Sequence, residues 1–435
     1  MLILVMMSLL VAMFAVIFVN DLVRQNQQLQ RTTDVLAQAR EALIGYAASD
    51  NNRPGALPCP DLITNIAGTN TPNDGSADLY AGNECPGFVA GSNVYIGRLP
   101  WRTLGLPDLR DSSGERLWYA VSRQFARNPA CMPNCPLNSD TLGQLAVTGI
   151  EPTSNAVAII LSSAATLETQ SRGSANENSA TNYLEGENAN GSNPTFTMAA
   201  DSPTFNDRLL ALTNGDLMPA VEKRVAREMI SILQQYKAAT ATSTLATLRP
   251  GIGVYPWSDR SDGNSNDWNH NRFPCGTALP VNWNTTVPSS SPSTQTPALP
   301  AWLRDSCSTN PVTGWSSVIY YAVARNKLEN NGAGGCSNCT DNTLTVTNST
   351  NAIADQCLAG ATPLCTPTAV SSGSADLLLI TSGAATASPR GDWPAADFNP
   401  ITGYFEDAEN RDNDDDNYVV PASTNHDRDR VYIVR

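Results

Sequence analysis

The chain has 435 residues and a formal charge of −14 at neutral pH, with 41 acidic against 27 basic side chains. No basic stripe is available to replace phosphate counterions, which excludes nucleic acid as a partner. Only 16% of residues are charged while Asn, Ser, Thr, Gly and Pro abound, a balance suited to a loop-rich exported protein more than to a cytosolic enzyme.

The first element is a long helix of two characters. Met1–Val19 carries no charge, and from Asn20 the pattern turns amphipathic, with no Gly before Gly45 and no Pro before Pro54. At a rise of 1.5 Å per residue this is a rod of roughly 70 Å. A secretory signal would need a basic n-region and a cleavage site. A plain membrane anchor fits the apolar length, about 19 residues against the roughly 20 that span a bilayer.

The segment Met1–Ser49 resembles the N-terminal stalk helix of type IV pilins and of the pseudopilins of type II secretion. That resemblance implies an apolar half that first anchors the subunit in the inner membrane and then packs against copies of itself in the core of a helical filament. Met1 and Val5 are the assembly positions that it points to. Val5 stands where the family usually carries a glutamate. Either the mature chain begins elsewhere, or assembly proceeds without that charge pairing with a neighbour's terminal amine.

The helix is expected to stop in the turn-rich Ser49–Gly55, followed by a Pro/Gly/Asn-rich stretch to Leu99. Gly114–Phe125 has apolar spacing suited to a short buried helix. Ala156–Ser163 is an apolar run of strand length and the expected central strand. Phe205–Thr213 reads as a further strand, and Met218–Ala239 as a second helix with Pro219 in its first turn. Short motifs then recur in the same order. Leu99-Pro100-Trp101 returns near Leu299-Pro300, Tyr119–Arg123 (YAVSR) as Tyr321–Arg325 (YAVAR), and Ala158–Thr166 as Leu377–Thr386. The expected organisation is a stalk over 1–50 and two related modules over 30–215 and 216–435. The expected fold class is α+β: a long hydrophobic stalk helix followed by two disulfide-braced helix-plus-antiparallel-sheet modules.

Ten cysteines, an even number behind an export-type start, point to an oxidising compartment. Spacing favours local bridges at Cys131/Cys135, Cys336/Cys339 and Cys357/Cys365, with Cys59–Cys85 and Cys275–Cys307 closing longer loops. No second CxxC or His pair stands at zinc-ligand spacing from Cys336 and Cys339. Asn73-Asp74-Gly75 with Asp78, and Asp259 to Asp267, alternate Asp and Asn around Gly as oxygen ligands of Ca²⁺ do. Glu406, Asp407, Glu409, Asp412, Asp414, Asp415 and Asp416 pack seven carboxylates into eleven positions. That run reads either as a solvated acidic loop or as a Ca²⁺ site. No cofactor is otherwise required.

The two histidines, His270 and His426, lie in polar stretches, and no HExxH, GxSxG, Walker or dinucleotide pattern occurs. An enzyme is therefore not expected. Trp101, Trp118, Trp302 and Trp315 read as core residues, and Arg110-Asp111 and Arg304-Asp305 as structural ion pairs. The expected function is that of a homo-oligomeric filament subunit on a bacterial cell surface. The alternative is a membrane-anchored or filament-tip adhesin.

Overall fold

The computed structural model describes residues 2–62, 73–87, 91–128, 137–173, 176–177 and 179–242. Beyond these it describes 255–256, 270–272, 300, 302–303, 315–324, 327, 344–348, 365–366, 369–370, 373–381, 417–420 and 430–434, with some side chains inside the helices and strands left out. The chain divides into two compact units. One comprises Met1–Tyr46, Leu57–Asn128 and Leu142–Thr213; the other comprises Ala47–Ala56, Pro129–Thr141 and Asn214–Arg435.

Unit 1 holds most of helix α1 (Leu2–Ser49) and strands β1 (Val94–Arg98), β2 (Trp118–Ser122), β3 (Leu145–Gly149), β4 (Thr153–Ser162), β5 (Thr195–Met198) and β6 (Arg208–Thr213). They form one six-stranded sheet in the order β1-β2-β4-β3-β5, with β6 also paired to β4. The β4 run Ala156–Leu161 is central because each of its side chains is fully buried, Val157 and Ile159 as much as Ala158 and Ile160. A continuous Val/Ile/Leu run needs cover on both faces of the sheet. One face gathers Val94, Trp118, Leu145, Ile159, Phe196 and Leu209 into a single cluster. On the other, Tyr119 donates its hydroxyl to Pro58 O at 3.3 Å and lies near Tyr46 of α1.

Unit 2 holds helix α2 (Asn214–Thr242) and strands β7 (His270–Arg272), β8 (Ile319–Val323), β9 (Leu344–Asn348), β10 (Cys365–Thr366), β11 (Ala369–Val370), β12 (Gly373–Ala375), β13 (Leu377–Thr381), β14 (Asn417–Val420) and β15 (Arg430–Val434). These make three separate sheets, ordered β15-β13-β8-β7, β12-β9-β14 and β10-β11. Helix α2 lies against β13.

The expected fold class needs correction. The described residues contain two α-helices in a sheet-rich mixed fold, not two related helix-plus-antiparallel-sheet modules behind a stalk. The sheets are not purely antiparallel, since β3 pairs with β5, and β9 with β14, in parallel. One unit closes six strands into a single sheet where the other divides its strands among three. Among the described residues no helix is long and apolar enough to cross a membrane. Of the expected disulfides, Cys59–Cys85 lies among the described residues and is formed, with Cα atoms 5.6 Å apart.

The segment 114–125 is a second correction. It is a strand, β2, followed by the 3-10 turn Arg123–Ala126, not a helix. All five residues of β2 are buried, and Trp118, Tyr119 and Val121 are bulky aromatic or β-branched residues that suit a covered strand.

Candidate assembly surface

The helix α1 changes partners along its length. Every described side chain before Thr32 is exposed. These include Met7, Met13, Val16, Ile17, Val19 and Val23, each between 47% and 63% exposed. From Thr32 a buried stripe begins, with Thr32, Leu36, Ala39 and Leu43 at most 5% exposed. Steps of three and four residues place those four on one face of the helix. The part ahead of the stripe is about 30 residues, or roughly 45 Å of helix.

In sequence that length has two parts. Leu2–Val19 has one polar side chain, Ser8, so it is apolar around its whole circumference. Asn20–Arg31 is a polar sleeve of Asn, Gln, Asp and Arg interrupted by Leu22, Val23 and Leu29. Neither part contains Gly or Pro, and Gln and Arg, good helix formers, make up half of the second.

The body grips the helix at Thr32. Thr32 Oγ1 donates to Ser112 Oγ at 3.0 Å, and Ser112 N–H donates back to Thr32 Oγ1 at 3.2 Å. Ser112 is held in turn by its neighbour Asp111, a fully buried carboxylate. Asp111 Oδ1 accepts the N–H of Ser113 (2.9 Å) and Glu115 (3.0 Å), while Oδ2 accepts Ser162 Oγ (2.7 Å) and Ala164 N–H (3.1 Å). The end of the central strand and the loop that meets α1 are thus tied to one side chain. The expected Arg110–Asp111 ion pair does not form. Arg110 instead pairs with Asp108 at 2.7 Å and donates to Gly114 O.

The acidic motif after Asn73 folds onto backbone. Asp61 accepts the N–H of Asn73 (3.1 Å) and Gly75 (2.8 Å), Asp74 accepts that of Ser76 (2.7 Å), and Asp78 that of Leu62 (3.0 Å). Gly75 has φ +82°, and a Cβ there would lie 2.3 Å from the Trp101 ring, so only glycine fits. Burial pushes the Asp61 carboxyl up to about 6 and that of Asp78 up to about 7. Among the described residues no three His, Cys, Asp or Glu side chains are arranged to hold a metal ion.

The acidic runs Asp259–Asp267 and Glu406–Asp416, with its proposed ligands Glu406, Asp407, Glu409, Asp412, Asp414 and Asp416, lie outside the described residues. So do Met1, His426, Cys131, Cys135, Cys275, Cys307, Cys336, Cys339 and Cys357. Val5 lies within α1 and Cys365 opens β10, with neither side chain described. Trp118, Trp302 and Trp315 are buried, and Trp101 is half-buried over Gly75.

Several buried polar groups carry no sequence signal. The Arg98 guanidinium is sandwiched between the rings of Trp118 (4.0 Å) and Tyr183 (4.3 Å). Glu222, fully buried in α2, accepts from Ser139 Oγ, from Thr381 Oγ1 and from Arg430, to which it is ion-paired. Glu185 and Asp207 are joined across an interval of 22 residues. Their partners are distant in the sequence, and only folding brings them together. No protein family, characterised protein or solved structure matches the chain, so its own exposed apolar helix is the feature from which function must be argued.

Proposed function

We propose that the chain is the structural subunit of a filament, assembled by packing the apolar half of α1 against the same segment of neighbouring copies. The observation that carries this reading is the exposure of Met7, Met13, Val16, Ile17, Val19 and Val23 on a helix whose first 19 residues bear no charge. The resemblance of Met1–Ser49 to a type IV pilin stalk supports it. Fully burying five such side chains contributes on the order of 8–15 kcal/mol, against an association cost of roughly 4–15 kcal/mol. One partner covers a single face of a helix that is apolar all round. Several neighbours are therefore needed, which favours a filament or bundle over a dimer.

Negative-stain microscopy and sedimentation of the full chain after detergent removal test the proposal. Filaments are expected from the native chain, and Met13→Glu with Val16→Glu should abolish them without shifting thermal unfolding, because neither residue touches the folded body. A native chain that stays monomeric, or a double variant that still assembles, would sink the reading. Isolated copies on the cell surface would instead favour an adhesin.

A further inference from the structure

Unit 1 buries a pair of carboxyl groups that hold each other's backbone. Asp207 is fully buried and Glu185 is 8% exposed. The N–H of Glu185 donates to Asp207 Oδ2 at 2.9 Å, and the N–H of Asp207 donates to Glu185 Oε2 at 3.0 Å. Glu185 Oε2 also accepts Asn206 N–H at 3.0 Å, and its Oε1 accepts from Gln170 Nε2. Asp207 Oδ1 is buried and, among the described residues, takes no hydrogen bond from any N–H or hydroxyl.

The nearby cations are committed elsewhere. Arg172 pairs with Glu115 at 3.5 Å and donates to the carbonyls of Ser163, Ala164 and Tyr183 and to Gln170 Oε1. Arg208 pairs with Asp201 at 2.6 Å. Burial and the neighbouring Glu185 charge both make an ionised Asp207 costly.

The pair also controls a sheet edge. Strand β5 is the last in its order, and its outward backbone groups are closed by asparagine side chains. Asn188 Oδ1 accepts Thr197 N–H at 2.7 Å while its Nδ2 donates to Thr197 O at 3.1 Å. Asn193 Oδ1 closes Thr195 N–H at 3.0 Å. Such capping blunts an edge that could otherwise pair with another strand. Asn188 Nδ2 donates at the same time to Asp207 Oδ2 at 3.0 Å, so the cap is oriented by the carboxyl pair.

We propose that Asp207 and Glu185 share one proton at neutral pH, and that this proton is a latch whose loss releases the 185–198 segment and uncaps the outer edge of β5. Burial, then the Glu185 charge, push the Asp207 carboxyl up to about 8. The folded pKa is raised, so the latch contributes stability that is complete below the unfolded pKa near 4 and is lost as pH rises through about 8.

Hydrogen exchange of the full chain, read by mass spectrometry between about pH 6.5 and 9.5 and corrected for intrinsic rates, tests this. Protection of peptides spanning 185–198 should fall by about tenfold for each pH unit up to about pH 8 and level off above it, while peptides from β2 and β4 keep theirs. Asp207→Asn supplies a permanent N–H in place of the shared proton and should make protection of 185–198 independent of pH. Glu185→Gln removes the second carboxylate and should abolish the step near pH 8 even if Asp207→Asn fails to fold. A native profile that is flat, or a step near pH 8 that persists in either folded variant, would overturn the latch.

Discussion

Asp111→Ala should loosen unit 1 more than any other single polar truncation in it, because one carboxylate serves four donors. Removal leaves Ser162 Oγ in a buried site and the N–H groups of Ser113, Glu115 and Ala164 in part-buried ones. A hydrogen bond to a charged group contributes about 1.5–3 kcal/mol, and a stranded buried donor costs about 1–3 kcal/mol. Water can reach the three part-buried amides, so the four losses do not add in full. A net cost of about 3–5 kcal/mol is expected, or a fall in Tm of roughly 6–20 °C for a domain of this size. Asp111→Asn keeps the shape and one acceptor oxygen, and should cost about half as much. Native-state hydrogen exchange of β2 and β4 amides isolates the effect in this unit. The same measurement on residues 32–43 should register loss of the Thr32–Ser112 contact. A loss under about 1 kcal/mol, or an alanine variant no worse than the asparagine one, would refute Asp111 as the tie between the sheet and α1.

Replacing Cys59 and Cys85 by serine frees a bridge whose ends are 26 residues apart and should cost about 3.5 kcal/mol by the chain-entropy relation, measured by urea unfolding. The raised carboxyls of Asp61 and Asp78 bind more protons in the folded state than in the unfolded one. Stability should therefore decline as pH climbs through about 6 and about 7, and Asp78→Asn should flatten the upper part of that decline in urea midpoints taken at pH 5 and pH 8. Glu222→Leu strands the Arg430 guanidinium and the Ser139 hydroxyl, a loss of about 3 kcal/mol in chemical denaturation that an added Arg430→Met should partly restore. Deleting Gln27 and Gln28 turns the apolar half by about 200° relative to the body. Filaments should still form by microscopy if packing depends on apolar area rather than on one helix face.

The parts of the fold legible in the sequence are those governed by local pattern. The unbroken run to Ser49 is α1, the apolar run from Ala156 is the core of β4, and Met218–Ala239 falls within α2, although that helix opens earlier, at Asn214, and so holds Pro219 inside it rather than in its first turn. The Cys59–Cys85 bridge also followed from spacing. The recurring YAVSR and YAVAR motifs do fall on like strands: Tyr119 in β2 donates to Pro58 O, and Tyr321 in β8 donates to Pro256 O at 2.8 Å. Likeness of strands did not extend to likeness of sheets, because sheet membership is decided by pairing between distant segments, as when β3 meets β5 across some fifty residues. The Gly114–Phe125 stretch misled because a short apolar run without clear alternation fits a buried helix and a buried strand equally. Asp111 was visible only as the neighbour of Arg110. Nothing in the chain order indicates that its partners are the amides after it and a serine 51 residues away.

The helix α1 therefore joins two kinds of surface with different demands. Its lower stripe, Thr32 to Leu43, is directional: four positions on one face, with a reciprocal hydroxyl contact that fixes rotation and height. Its upper half has no preferred face, since a single serine interrupts the apolar circumference between Leu2 and Val19. Hydrophobic association is non-directional and scales with area, so the upper half can accept several neighbours at once but cannot by itself set a register. If copies assemble through it, register must come from groups with fixed geometry. The nearest exposed ones are Arg24, Arg31 and Asp34 in and just beyond the polar sleeve. Affinity would then reside in the apolar turns and order in the charged ones. A filament lacking the sleeve charges should remain cohesive while losing a defined helical repeat.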